Sequence, residues 1–136
     1  MTIHVIGSSG FVGRAIGKYC NHRDDVILYS SKFSNRTDKS KWVDLDDQSS
    51  WNNINIKQED KLIFVSWRYL PNYDSTLHIT ENIFTSLNFL SEMIDRGVKK
   101  IICTGTCYEY GLKEGSLKES FNPHPLNCYS VAKDSL

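Results

Sequence analysis

A chain of 136 residues is the size of one domain, and 40% hydrophobic with 12% aromatic residues gives enough apolar mass for a packed core. Sixteen basic and sixteen acidic residues cancel, with no long run of either sign, which excludes charge-driven attraction to nucleic acid or a membrane and leaves a small molecule as the expected partner. No apolar run approaches about 18 residues, and the N-terminus has no basic segment leading into a long apolar one, so a cytoplasmic location is expected. Cys20, Cys103, Cys107 and Cys128 form no Cys-x-x-Cys pair, and reduced thiols are expected rather than disulfides or zinc.

Ile3-His4-Val5-Ile6 is a short apolar run ended by glycine, after which Phe11, Val12, Ala15, Ile16, Tyr19 and Cys20 recur at helical spacing. This predicts strand, glycine turn, helix. Asp24-Asp25 turn the chain into a second strand, Val26-Ile27-Leu28-Tyr29, and a polar, basic loop follows over 30–40. Trp42-Val43 reads as a brief third strand and 48–53 as a weak helix. Leu62-Ile63-Phe64-Val65 has the continuous apolar character of a strand buried on both faces of a parallel sheet. Ile79, Ile83, Leu87, Leu90 and Ile94, with Phe84 and Met93 beside them, mark a long amphipathic helix closed by Arg96-Gly97, and Ile101-Ile102-Cys103 is the fifth strand. A further helix starts at Asn127. Alternating strands and helices of this kind predict an α/β fold, a doubly wound parallel sheet of Rossmann type, incomplete at its C-terminal edge because no sixth strand follows.

Gly7-Ser8-Ser9-Gly10-Phe11-Val12-Gly13 lies between the first strand and the first helix, the context a dinucleotide-binding turn requires. Gly7 is expected to make the tight turn, Gly10 to let the backbone approach a pyrophosphate, and Gly13 to pack helix against strand. NAD-binding domains usually end the second strand on an acid that bonds the ribose 2′-hydroxyl. Here that place reads Tyr29-Ser30-Ser31-Lys32, with Arg36 beyond, and a hydroxyl pair with cations suits a 2′-phosphate, so NADP is expected, with NAD as the alternative.

Tyr129-Ser130-Val131-Ala132-Lys133 puts a phenol and an ammonium one helical turn apart, on one face. With seven tyrosines in the chain that spacing alone is weak; its meaning depends on what precedes it. The glycine triplet, the run Thr104-Gly105-Thr106-Cys107-Tyr108-Glu109-Tyr110-Gly111 after the fifth strand, and Asn127-Cys128-Tyr129-Ser130-Val131-Ala132-Lys133 stand in order across the whole chain. Together they resemble the extended short-chain dehydrogenase/reductase superfamily and, within it, the NAD-dependent epimerase/dehydratase family, in its nucleotide-sugar reductase and epimerase branch.

The resemblance implies that Thr106 hydrogen-bonds the sugar oxygen, that Tyr129 donates or accepts the proton, and that Lys133 bonds the nicotinamide ribose and depresses the Tyr129 pKa. It also implies cofactor contacts from Gly7, Gly10, Phe11, Val12, Gly13, Ser30, Ser31, Lys32, Asp44, Leu45, Ser66, Trp67 and Asn82, besides Tyr129 and Lys133. For Asp44 and Asn82 a cap or turn role is the competing reading. The family's 4,6-dehydratases follow the threonine with an Asp-Glu pair, whereas this chain has Cys107-Tyr108, so dehydration is not expected. The run from Ser66 to Tyr73 is similar to reductases and dehydrogenases acting at C4 of dTDP-6-deoxyhexoses. The implied function is NAD(P)-dependent C4 reduction of a nucleotide-activated 4-keto-6-deoxy sugar. A nucleotide-sugar 4-epimerase with tightly bound NAD and an inactive cofactor-binding remnant are the alternatives.

The implied partner is a nucleotide sugar, and the resemblance admits a homodimer. Residues 1–136 read as one NAD(P)-binding Rossmann domain without the substrate-binding region that family members carry after the Tyr-Lys helix, so weak stability and little catalysis are expected of the chain alone. Phe84, Phe89 and Met93 read as core, and Cys107 as core or wall packing. His4, His22, His78 and His124 lack metal-ligand spacing, and the acid pairs Asp46-Asp47 and Glu59-Asp60 read as solvated turns.

Overall fold

The computed structural model describes residues 1–31 and 40–136. Five parallel strands form one sheet: β1 (Ile3–Ile6), β2 (Val26–Ser30), β3 (Ser40–Trp42), β4 (Lys61–Phe64) and β5 (Lys100–Cys103), in the order β3-β2-β1-β4-β5. β1 is central, with Ile3 opposite Val26 on one side and Lys61 on the other. The order runs outward from β1 to β3, then restarts at β4, so the topological switch falls between β1 and β4. This is the doubly wound parallel sheet that the alternation of elements predicts. β5 is an edge strand, and Ile102 and Cys103 on it are exposed.

Two compact units are distinguished, residues 1–66 with 88–104 and residues 67–87 with 105–136. In the first, α1 (Phe11–Tyr19) links β1 to β2, and a 3₁₀ turn (Gln48–Asn53) follows β3. The core gathers Val5, Ile6, Leu62 and Phe64 from the central strands with Trp51, Phe89 and Met93. Phe89 stacks on Phe64 with ring centroids 5.7 Å apart and meets Trp51 edge-on at 5.4 Å. Arg96 donates to the carbonyls of Trp51 and Ile54 at 2.9 and 3.3 Å and pairs with Glu92 one turn back, which satisfies the end of the 3₁₀ turn from the long helix.

That helix begins as a π-helical turn, His78–Asn82, and continues as α2 (Ile83–Asp95). Gly97, at φ +101°, ends it through bonds from Gly97 N to Ile94 O and from Val98 N to Met93 O, as the Arg96-Gly97 signal predicts. The helix stands where the periodicity puts it, but the buried stripe differs. His78, Asn82, Ser86, Phe89, Leu90 and Met93 are buried, whereas Ile79 and Leu87 are exposed, Ile94 is 55% exposed and Phe84 62%. Phe84 is thus not core, unlike Phe89 and Met93. Five residues separate Phe84 from Phe89, about 140° around a helix, so the two cannot share a face. Among the described residues no helix is long and apolar enough to cross a membrane.

The second unit holds a 3₁₀ turn (Cys107–Tyr110) and α3 (Cys128–Asp134).

Asp60, just before β4, is the centre of a polar cluster that the sequence did not announce. Asp60 is not a solvated turn residue: it is 4% exposed and accepts from the backbone N–H of Thr2 and, at 2.9 Å, of Lys57. His4 is fully buried on β1, with Nδ1 3.0 Å from the Tyr29 hydroxyl and Nε2 3.5 Å from Asp60, an approach too poorly aligned to count as a hydrogen bond. Burial pushes the His4 pKa below 6.5, Asp60 works against that, and Lys41 adds to it. Burial pushes Asp60 upward, but the backbone bonds from Thr2 and Lys57, with the His4 ring beside it, outweigh it and hold the carboxyl below 3.8.

A histidine kept neutral by burial favours the folded state above its unfolded pKa and opposes it as the pH falls, because the unfolded chain then binds the extra proton. Urea titration is expected to show stability falling from pH 7 to pH 5, and His4→Asn is expected to flatten that slope. A slope unchanged by the substitution would remove His4 as its source.

Candidate active site

The glycine turn is built against the switch point of the sheet. The N–H groups of Gly7 and Ser8 donate to the Tyr29 carbonyl at 3.1 and 2.9 Å, and the Ser8 hydroxyl adds a third donor at 2.9 Å. One β2 carbonyl therefore anchors the end of β1. Gly7 sits at φ +92°, and a Cβ there would fall 2.7 Å from the backbone nitrogen of Ser66 after β4. At Gly13 a Cβ would lie 2.2 Å from the Gly7 carbonyl oxygen, which makes it the buried packing position between helix and turn. Gly10 differs from both. It is the exposed N-cap of α1, and the one atom near a Cβ there would be the Gly7 oxygen, at 3.3 Å.

No side chain caps α1 and no acid stands in its first turn, so the N–H groups at its start and their partial positive charge suit an anion. Phe11, 85% exposed, and Val12 flank that position. This arrangement fits the pyrophosphate of a dinucleotide. Of the remaining expected contacts in this unit, Ser30 is buried at the end of β2, its carbonyl accepting from Val43 N, and Ser31 is exposed. Lys32 and Arg36 lie outside the described residues. The Asp44 carboxylate accepts from Asp46 N at 3.0 Å, a local turn, while the Asp44 carbonyl takes Ser50 Oγ and Trp51 Nε1; Leu45 is half-buried.

The second unit carries the Tyr-Lys pair. Asn127 caps α3, accepting from Ser130 N at 2.8 Å, and Ser130 Oγ reciprocates to Asn127 N at 3.1 Å. This reciprocal cap and a fully buried Ser130 and Ala132 hold a helix of seven residues, too short to persist on its own. Tyr129 and Lys133 are both buried on its inner face, as their spacing predicts. Thr106 caps the 3₁₀ turn that follows it, with Oγ1 accepting from Tyr108 N at 3.4 Å and its own N–H donating to Glu109 Oε1 at 2.8 Å.

Four rings surround the Tyr129 ring edge-on: His78 at 5.4 Å, Tyr73 at 5.5 Å, Trp67 at 6.0 Å and Tyr108 at 6.4 Å between centroids. Burial pushes the Tyr129 phenol above 10; the nearby Thr106 hydroxyl works against this, and Tyr73, Glu109 and Cys107 add to it. The net direction is upward, opposite to the depression expected from Lys133. A phenol enclosed by rings and facing further acidic groups ionises reluctantly. Lys133 Nζ lies 4.4 Å from the centroid of the Trp67 ring.

Asn82 is buried and its amide is committed within the protein, donating to the Arg68 carbonyl at 3.0 Å and approaching His78 Nδ1 at 3.3 Å. His78 is a residue that sequence reasoning set aside for want of metal-ligand spacing. The signal that could have found it is its position four residues before Asn82, on the same helical face. Cys107 is exposed, so the expectation of core or wall packing fails; it follows the Thr106 cap, where the turn faces outward. Among the described residues no group of His, Cys, Asp and Glu could hold a metal ion.

A doubly wound parallel sheet with a glycine turn at its switch point, followed in the chain by a Thr and a Tyr-x-x-x-Lys helix, defines a domain of Rossmann type. The chain belongs to the NAD dependent epimerase/dehydratase family, whose model matches residues 3–135. It is 24% identical to the dTDP-6-deoxy-L-talose 4-dehydrogenase (NAD(+)) of Aggregatibacter actinomycetemcomitans, over all of this chain and 53% of that one. It is 25% identical to the GDP-6-deoxy-D-talose 4-dehydrogenase of the same organism, over 98% of this chain and 45% of that one. The chain thus spans about half the length of these relatives. A solved UDP-galactose 4-epimerase superposes with a TM-score of 0.77 at 20% identity, over 98% of this chain and 48% of the other, which shows the shared fold.

Two glycine substitutions separate the roles in the turn. Gly13→Ala is expected to destabilise the protein by about 1–3 kcal/mol or more, since its Cβ meets rigid backbone. Gly10→Ala is expected to cost less than about 1 kcal/mol in urea titration yet to weaken dinucleotide binding roughly tenfold or more, because only the ligand's space is filled. Equal dinucleotide affinity in Gly10→Ala and wild type would refute the assignment of Gly10.

Proposed function

We propose that the protein is an NAD(P)-dependent oxidoreductase acting at C4 of a nucleotide-activated 6-deoxyhexose, reducing a 4-keto sugar to the alcohol. The observation that carries this reading is the buried Tyr129, close to the Thr106 hydroxyl and sharing one face of α3 with Lys133. The names of the two talose dehydrogenase relatives support C4 of a 6-deoxy sugar as the reacting position. A dinucleotide held at the glycine turn would supply the hydride. Tyr129 gives its hydroxyl proton to the carbonyl oxygen as C4 is reduced, Thr106 orients that oxygen, and the Lys133 charge offsets the tyrosinate left behind. Because burial keeps the Tyr129 phenol protonated at neutral pH, the resting site holds the proton that reduction consumes. Cys107 and Tyr108 supply neither the acid nor the base of a dehydratase.

For the dinucleotide, the family description and the name of the L-talose relative support NAD. The finer expectation of NADP rests on the missing carboxylate at Tyr29-Ser30-Ser31. Isothermal titration of the full-length protein with NADPH and NADH tests it: the NADP reading requires tighter NADPH binding, and tighter NADH binding returns the protein to the family's NAD.

Tyr129→Phe in the full-length protein is expected to lower kcat for a 4-keto-6-deoxy sugar nucleotide by about 10²–10⁴-fold, with dinucleotide affinity nearly unchanged. Turnover that survives the substitution would take the proton transfer away from Tyr129.

A further inference from the structure

Trp67, which has no part in the proton transfer, lies against the Lys133 ammonium. Trp67 presents its ring face to the Lys133 ammonium at 4.4 Å and an edge-on contact to Tyr129, so the indole lies against both members of the pair. The indole N–H donates to His78 Nδ1 at 3.1 Å. An indole nitrogen can only donate, so Nδ1 must be the acceptor and the His78 proton resides on Nε2. Nε2 is 2.8 Å from the Asn72 carbonyl, an acceptor that suits this tautomer, and the Asn82 amide lies against Nδ1. His78 is fully buried and stacks on Trp67 with centroids 6.1 Å apart and planes 17° from parallel.

We propose that Trp67 and His78 are positioning residues: His78, locked as the Nε2–H tautomer between Asn72 and Trp67, fixes the indole whose face holds the Lys133 ammonium beside Tyr129. The role in turnover rests on the function proposed above, whereas the seating of Lys133 does not. A lysine side chain has a flexible four-carbon stem and a strongly hydrated head, so water competes for it; a fixed aromatic face keeps the charge in the site. The other groups facing Tyr129 are Thr106, Tyr73, Tyr108, Cys107, Glu109 and His78 itself. The Trp67 substitutions below leave all of these in place, so a change in Tyr129 titration would report the displaced ammonium.

Two readouts test the proposal in the full-length protein. In the first, lysines are reductively methylated with ¹³C, which preserves their charge, and the Lys133 resonance, identified by its loss in Lys133→Arg, is expected upfield from the Trp67 ring current. Trp67→Leu is expected to return it to the position of exposed lysines, while Trp67→Phe keeps a ring face and retains part of the shift. Ring ¹⁵N shifts at pH 8 are expected to show His78 protonated on Nε2. His78→Asn, which keeps an acceptor near the Nδ1 position, is expected to preserve the Lys133 shift better than His78→Leu.

In the second readout, the pH profile of C4-alcohol oxidation by Trp67→Leu is expected to move about one unit or more to alkaline pH, with kcat reduced tenfold or more and Trp67→Phe restoring most of it. An unshifted Lys133 resonance in Trp67→Leu, or a lowered kcat with the wild-type pH profile, would overturn the positioning role. A wild-type protein inactive toward the sugar offered would count against the function, and the Lys133 resonance would still decide the seating.

Discussion

Backbone meets backbone at the switch between β1 and β4, and the first unit is arranged around that approach. The Gly7 turn abuts the backbone of Ser66, and Gly13 abuts the carbonyl of Gly7, with no room for a Cβ at either position. Three donors on one Tyr29 carbonyl hold the turn from the β2 side. β1 is paired in register to both β2 and β4, and α1 starts directly after this turn with Gly10 as an N-cap that no side chain satisfies. The uncapped helix start at this end follows from packing that involves no ligand.

In the second unit the governing condition is enclosure. A phenol among four rings, close to a threonine hydroxyl, is pushed above its ordinary pKa and keeps its proton at neutral pH. Polar side chains in such a place need partners, and they have them: His78 bonds to Trp67 and Asn72, and Asn82 to Arg68. Local capping does the rest, through Asn127 and Ser130 on α3 and through Thr106 and Glu109 on the turn before it.

The long helix shows where sequence reading loses information. Its apolar ladder of Ile79, Ile83, Leu87, Leu90 and Ile94 predicts a helix correctly but only part of its buried face: Leu90 is buried, Ile79, Leu87 and Ile94 are exposed, and the buried stripe also carries His78, Asn82 and Ser86. Periodicity measures hydrophobicity, and a buried polar side chain with satisfied hydrogen bonds is invisible to it. The same blindness hid Asp60, whose place beside Glu59 reads as a solvated turn although its carboxylate ties down the N-terminal segment at Thr2. Phe84 and Cys107 erred the other way, as residues of core-forming type that the fold leaves exposed.

The sequence by itself determined the order of strands and helices, the glycine turn with its close approaches at Gly7 and Gly13, and the shared face of Tyr129 and Lys133. These are consequences of local spacing: a strand followed by glycines, an i and i+4 pair, an asparagine before a helix. Only the tertiary structure decided which face of α2 is inward, that His4 and Asp60 are buried together, that the Tyr129 phenol is pushed up, and that the Lys133 ammonium rests on Trp67. Trp67 and Lys133 are 66 positions apart, and nothing periodic links them. Burial and long-range contact set the energies of these groups, and both exist only once the chain has folded.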